Sequence, residues 1–329
     1  MTDYYYESAR VRTLESMIVG KERLATLLET KTEEERIAIL REAKVPVVTD
    51  EGGMLLREET LLALLKSAYM ELRELDPDGK AINLWLYPYD CNNIKAAIKA
   101  FLRKIDPASM LFDFGTIPAS DLVEALNTGN YEALGELGEA AKKAVSAYER
   151  TRDPQQIDLI LDRACYEIML RLAKESGVAF ALELVQVKID LVNLMMAIRI
   201  SRMKRGEEGK LFLKNAFLSG GELSTDWILH EIEAGEAELT ERLLYTSYED
   251  FAKEIKAGDG SLSQIERAAD DAFMKRLKAA KMESMGPEVL LGFLLGHETE
   301  VKNLRILLSG KEAGLDNTTI RERIRESYV

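Results

Sequence analysis

Apolar residues recur along this chain at the three- and four-residue spacing of an α-helix. From Tyr4 to about Glu42 the pattern predicts helix, broken near Gly20, with Val11, Leu14 and Ile18 on one stripe and Leu24, Leu27 and Leu28 on the next. Val45-Pro46-Val47-Val48-Thr49 is the one short piece that reads as extended, and Gly52-Gly53 breaks the chain after it. A long helix is expected from about Glu58 to Leu75, followed by a turn at Asp76-Pro77-Asp78-Gly79. After Asp153-Pro154, a capping aspartate with proline in the first turn, Ile157, Ile160, Leu161, Ala164, Ile168 and Leu172 form another core stripe that ends at Ser176-Gly177. Gly310 to Gly314 separates the last long helix from a terminal one running to Tyr328-Val329.

Within this helical pattern one nine-residue arrangement occurs three times. It reads Asp90-x-x-Asn93-Ile94-x-x-Ala97-Ile98, then Asp190-x-x-Asn193-Leu194-x-x-Ala197-Ile198, then Glu300-x-x-Asn303-Leu304-x-x-Leu307-Leu308, at intervals of 100 and 110 residues. Positions i, i+3, i+4, i+7 and i+8 share one stripe of a helix, so each copy sets a carboxylate and an amide on its apolar face. A buried polar group left unsatisfied costs about 1–3 kcal/mol, so these side chains are read as a structural hydrogen-bond network. Gln264-Ile265-Glu266 to Asp270 repeats Gln156-Ile157-Asp158 to Asp162, which extends the likeness beyond the short pattern. The expected fold is all-α, with three similar helical domains around an approximate threefold axis: residues 1–113, 114–219 and 220–329. Units of this length are too long for the common solenoids.

Composition narrows the function. With 47% hydrophobic and 31% charged residues and seven prolines, the chain is that of a folded, helix-rich protein. Its net charge of −13 disfavours nucleic acid as a partner. The longest apolar run, Val289 to Leu295, falls far short of the roughly 20 residues that span a bilayer, and Met1-Thr2-Asp3-Tyr4-Tyr5-Tyr6 lacks the order of a signal peptide. A cytoplasmic location is therefore expected, in which Cys91 and Cys165 act as small buried hydrophobes rather than a disulfide.

Candidate chemistry is sparse. There is neither a Gly-x-x-x-x-Gly-Lys-Ser/Thr loop nor a Gly-x-Gly-x-x-Gly turn for nucleotide phosphates. His297-Glu298-Thr299-Glu300-Val301 lacks the second histidine of a zinc helix, so His297 and Glu298 read as helix surface or local hydrogen bonding. Neither His230 nor His297 has a nucleophile context, and the acidic runs Glu33-Glu34-Glu35 and Asp270-Asp271 read as solvated faces. No catalytic, cofactor-binding or metal-binding residue is assigned, and the candidate site consists of Asp90, Asn93, Asp190, Asn193, Glu300 and Asn303. Arg199, Arg202, Lys204 and Arg205 suit the negative end of a helix dipole, with docking to an acidic surface of another protein as the functional alternative, which also covers Arg321, Arg323 and Arg325. Tyr4-Tyr5-Tyr6 and Tyr87-Pro88-Tyr89 are candidate interface anchors or core residues.

The stretch Gly286-Pro287-Glu288, through Glu298-Thr299-Glu300-Val301-Lys302-Asn303-Leu304-Arg305-Ile306-Leu307, to Gly310-Lys311 and Tyr328-Val329 resembles the C subunit of prokaryotic V-type and A-type ATPases, equivalent to the d subunit of vacuolar proton pumps. Tyr89-Asp90-x-x-Asn93, Asp190-x-x-Asn193, Ser219-Gly220-Gly221 and Ala9-Arg10-Val11-Arg12 with Leu14-Glu15 support it. The resemblance implies a funnel-like body of three helical domains between the central stalk and the membrane proteolipid ring. Such a protein turns with the rotor, catalyses nothing, binds no cofactor and meets the membrane only through its partners. His297 departs from the lysine expected of many relatives, and Glu300 keeps the charge of Asp with a longer reach. The competing expectations are an enzyme built on acidic side chains, which would need them in one cleft, and a free-standing helical scaffold unrelated to rotary motors.

Overall fold

The structure, a computed structural model, describes residues 4–76, 79–203 and 206–329. Among them every regular element is helical, and the extended-looking piece near Val45 contributes only an isolated bridge between Thr49 and Leu55. In chain order the α-helices are α1 (Tyr5–Glu15), α2 (Lys21–Glu29), α3 (Glu33–Glu42), α4 (Arg57–Leu75), α5 (Lys80–Asn83) and α6 (Tyr87–Arg103). There follow α7 (Ala119–Thr128), α8 (Gly138–Thr151), α9 (Gln155–Ser176), α10 (Ala179–Met203) and α11 (Glu207–Ala216). The remainder are α12 (Thr225–Ala234), α13 (Glu236–Leu243), α14 (Glu249–Ala257), α15 (Leu262–Leu277), α16 (Pro287–Glu312) and α17 (Asn317–Arg323). The expected turn after Leu75 falls partly outside the described residues, and its Gly79 has φ +59°. No described helix is long and apolar enough to cross a membrane.

The chain divides into two compact units. One comprises Met1–Asp78, Leu194–Gly206 and Trp227–Val329; the other comprises Gly79–Asn193 and Glu207–Asp226.

In the first unit α16 lies at the centre, packed against α1, α2, α4, α15 and α17. Every residue from Val289 to His297 is buried, which accounts for the long apolar run: a helix enclosed all round needs no polar face. Gly292 and Gly296, one turn apart, open a groove on α16 that receives the ring of Tyr328. The helix also runs through Gly310, where a break was expected. A side chain at Gly310 would come within 2.7 Å of Ile320 Cγ1, so the missing Cβ makes room for α17 rather than ending α16. The terminal helix stops at Arg323 instead of reaching Val329. Residues 324–329 are extended because Asn303 takes the backbone of Arg325, Asp271 accepts from Glu326 N at 2.6 Å, and Tyr328 is buried in the α16 groove.

In the second unit α6 and α9 pack together and are bridged by Lys95–Asp162 and Lys99–Asp158, the latter at 2.6 Å. Between them Cys91 donates to the Leu161 carbonyl at 3.4 Å, and its hydrogen bond with Cys165 together with burial pushes the Cys165 thiol well above its usual range. Both cysteines are free and buried. Ala140, Ala141, Ala144 and Ala147 line the buried side of α8, which lets it approach α9 closely. At the start of α9, Asp153 Oδ1 accepts from Gln155 N at 2.9 Å, so the aspartate holds the first turn while the helix begins just past Pro154.

The Gly296 groove gives a direct test. A Cβ there would come within 2.9–3.0 Å of three Tyr328 atoms. Gly296→Ala is therefore expected to lower unfolding free energy by about 1–3 kcal/mol in urea titration, as overpacking in a rigid interior does.

Candidate functional site

The three motif asparagines make the same pair of hydrogen bonds. Asn93 donates through Nδ2 to the Phe112 carbonyl at 2.7 Å and accepts through Oδ1 from Phe112 N at 2.9 Å. Asn193 does the same with Leu218 at 2.8 and 2.9 Å, and Asn303 with Arg325 at 3.0 and 2.8 Å. All three asparagines are fully buried. In each case the partner lies in the segment that follows a motif helix after a short helical piece, a place where the backbone has no ladder of its own. Only an amide side chain carries a donor and an acceptor on one plane at the spacing of a peptide group; aspartate cannot donate and leucine can do neither.

The acids stand one turn earlier and hold what comes next. Asp90 accepts from Thr116 N at 2.9 Å, from Thr116 Oγ1 at 2.7 Å and from Ile117 N at 3.1 Å, just before α7 begins. Asp190 accepts from Glu222 N at 2.7 Å and Leu223 N at 3.1 Å, just before α12. The preceding glycines make this approach possible: a Cβ at Gly115 or Gly221 would collide with the carboxylate of Asp90 or Asp190 respectively. Burial pushes the Asp90 carboxyl above its ordinary value, and the donors from Thr116 and Ile117 pull it back. Glu300 is different. Its Oε1 accepts from Val19 N at 2.8 Å, and its Oε2 lies 2.5 Å from Nδ1 of the buried His297, a close contact rather than an aligned hydrogen bond.

Other expected features are placed as follows. His297 is in the core instead of on the helix surface, and Glu298 accepts from Tyr69 Oη at 2.9 Å. Asp270 and Asp271 are not a solvated face: Asp270 pairs with Lys302 and with Arg325 at 2.9 Å, and both acids anchor the extended tail. Glu35 completes a capping box with Thr32 at the start of α3. Arg199 pairs with Glu266, and Arg202 with Glu236 at 2.8 Å through Nε; Lys204 and Arg205 lie outside the described residues. Arg321 pairs with Glu29 at 3.1 Å. Tyr5 and Tyr6 are exposed, Tyr89 stacks edge-on against Phe114 at 4.8 Å, and Tyr87 donates to Glu136 at 3.3 Å.

A groove of about 670 Å³ in the first unit runs between α2, α14, α15 and the tail. Leu24, Leu28 and Phe251 line it, and the pairs Lys275–Asp250 and Lys278–Glu326 edge it. Among the described residues no three His, Cys, Asp or Glu side chains gather as a metal centre would require.

The nine-residue pattern named the six polar side chains but not their partners. Gly115, Gly221 and Thr116 escaped notice as functional residues, although a glycine following each of the two aspartates at a similar interval was a readable signal. The Gly292-x-x-x-Gly296 spacing likewise marked the seat of Tyr328.

Comparison with known proteins settles the family. Residues 8–323 match the family described as ATP synthase (C/AC39) subunit. The chain belongs to that family. It is 24% identical over 328 residues to the C subunit of the V-type sodium ATPase of Enterococcus hirae, covering 99% of both chains. To the C subunit of the A-type ATP synthase of Methanocaldococcus jannaschii it is 25% identical over 347 residues, covering 98% of this chain and 86% of the relative. For that of Thermococcus kodakarensis the figures are 24% over 348 residues, 99% and 91%. Members of the ATP synthase (C/AC39) subunit family are parts of membrane-associated ATPase complexes, and this one is all-helical.

Removing one amide tests its contribution. Asn193→Leu leaves the N–H and C=O of buried Leu218 without partners, and is expected to cost about 2–4 kcal/mol of stability by urea denaturation. Asn193→Gln, which keeps both groups but overfills the site, should lose less.

Proposed function

We propose that this protein is a mechanical adaptor of a V-type/A-type rotary ATPase, linking the central stalk to the membrane proteolipid ring and transmitting torque for ATP-coupled ion transport. The observation that carries this reading is the family match across residues 8–323, with relatives of similar length named as the C subunit of a V-type sodium ATPase and of A-type ATP synthases. The chain contributes no catalysis of its own. Asp90, Asp190 and Glu300 each face donors of a different backbone segment, an arrangement that fixes helices and supports a structural role for these three carboxylates rather than acid–base work.

In this reading the three helical domains, residues 1–113, 114–219 and 220–329, form a funnel around an approximate threefold axis. The protein is cytoplasmic and peripheral, reaching the membrane through the proteolipid ring. Torque needs stiffness, and the motif supports it: each Asp/Asn or Glu/Asn pair holds backbone of another segment through hydrogen bonds made by buried side chains. The exposed basic and aromatic side chains Arg323, Tyr5 and Tyr6 are candidates for contacts with the stalk or the ring.

Affinity capture of the tagged chain from native membranes is expected to bring down nucleotide-binding and proteolipid subunits together. Recovery of the chain alone, as a free-standing scaffold, would refute the adaptor role. ATP hydrolysis by the purified chain above the buffer rate would refute its passivity.

A further inference from the structure

Asp90 and Asp190 take their donors from segments shortly downstream, whereas Glu300 reaches back to Val19, at the other end of the chain. Val19 nevertheless occupies the same register. It stands two residues before α2, as Ile117 stands two before α7 and Leu223 two before α12. The backbone following Asn303 leads to the same place, since Val329 packs against Gly20 so closely that a Cβ there would lie 2.9 Å from its Cγ2 and its carbonyl oxygen.

A second set of contacts has the same order. The motif helix α6 lies against α9, the long helix of the following repeat, through Lys99–Asp158. The motif helix α10 is joined to α15 by the corresponding pair, Arg199–Glu266. The motif helix α16 lies against α4, through Arg305–Glu58 at 3.1 Å and Tyr69–Glu298 at 2.9 Å. The helices that succeed α16 in this scheme are thus α2 and α4, at the start of the chain.

We infer that the repeat is cyclic, with α2 to α4 serving as the continuation of the third copy, and that Glu300 with His297 is the latch that holds residues 19–29 in that place. The first two clasps close short loops, but the third closes a loop of nearly the whole chain. Loop-closure entropy grows with the logarithm of that length, so the third clasp has the weakest tether and is the one that opens first. Its chemistry differs accordingly. Tyr328 stands at the register of Gly115 and Gly221 and turns into the α16 groove, so the tail does not reach the acid. A longer glutamate takes Val19 N alone, and His297 sits against the carboxylate oxygen that backbone amides would otherwise meet. Arg12 on α1 adds a brace, donating to the carbonyls of Ala280 at 2.8 Å and Glu283 at 2.6 Å beside α16.

Hydrogen exchange of the full chain, read by mass spectrometry, tests the latch. Glu300→Ala is expected to speed exchange across residues 19–29 by about tenfold, leaving 116–128 and 222–234 at their original rates; Asp90→Ala should do the converse for 116–128. Unchanged protection of 19–29 in Glu300→Ala would overturn the inference. Should Glu300→Ala loosen every segment, a chain with Gly20→Cys and Val329→Cys decides: a disulfide between these positions, formed with oxidised glutathione and located by peptide mapping, supports the cyclic order, and failure to form it rejects that order.

Discussion

A side-chain amide closing a two-bond ring with one peptide group is the interaction on which this structure hinges. The segments that follow the motif helices have no ladder of their own, and where their backbone meets a buried asparagine an unpaired polar group costs about as much as a lost hydrogen bond. Asn93, Asn193 and Asn303 remove that penalty at Phe112, Leu218 and Arg325 with one side chain each. The acid one turn earlier then receives the amides that open the next helix. A single stripe of a single helix thus fixes both the exit of one element and the entry of another, so register propagates along the chain without any sheet.

Sequence patterning reached the helical class and most helix positions because the periodicity is strong and the breakers are few. Long buried helices such as α9 and α16 were legible from their apolar stripes and from Pro-containing starts. Errors fell where tertiary contacts overrode local preference. Residues 324–329 carry helix-compatible side chains, yet the Asn303 amide and the Gly292/Gly296 groove hold them extended. Gly310 reads as a breaker, but in the last turn of α16 it is a notch for Ile320, and the helix ends at Glu312. Asp270 and Asp271 read as solvent-facing charges because nothing local announces that the tail, 55 residues later, will come to rest on them. The motif itself was visible as six residues; its partners are mostly backbone groups, which composition does not encode.

The three copies also show how a repeated pattern is adapted at the place where its surroundings change. Two aspartates approach glycine-flanked backbone closely, and the collision that a Cβ would cause at Gly115 or Gly221 shows how little space is left. In the third copy glutamate and histidine replace that arrangement, and an aromatic ring fills the position that glycine holds elsewhere. Identity of pattern therefore does not entail identity of partners, and likeness between repeats is better judged by which atoms each side chain engages than by the letters it shares.

The paired thiols between α6 and α9 have a practical corollary. Cys91 and Cys165 are the chain's only cysteines, both are buried, and Cys165 holds its proton far more firmly than an ordinary thiol. Thiolate is the reactive form, so the folded protein presents no competing sulfur to a maleimide dye. A lone cysteine introduced on any exposed helix face would carry the fluorophore by itself, which makes this protein a convenient place to mount a single optical marker.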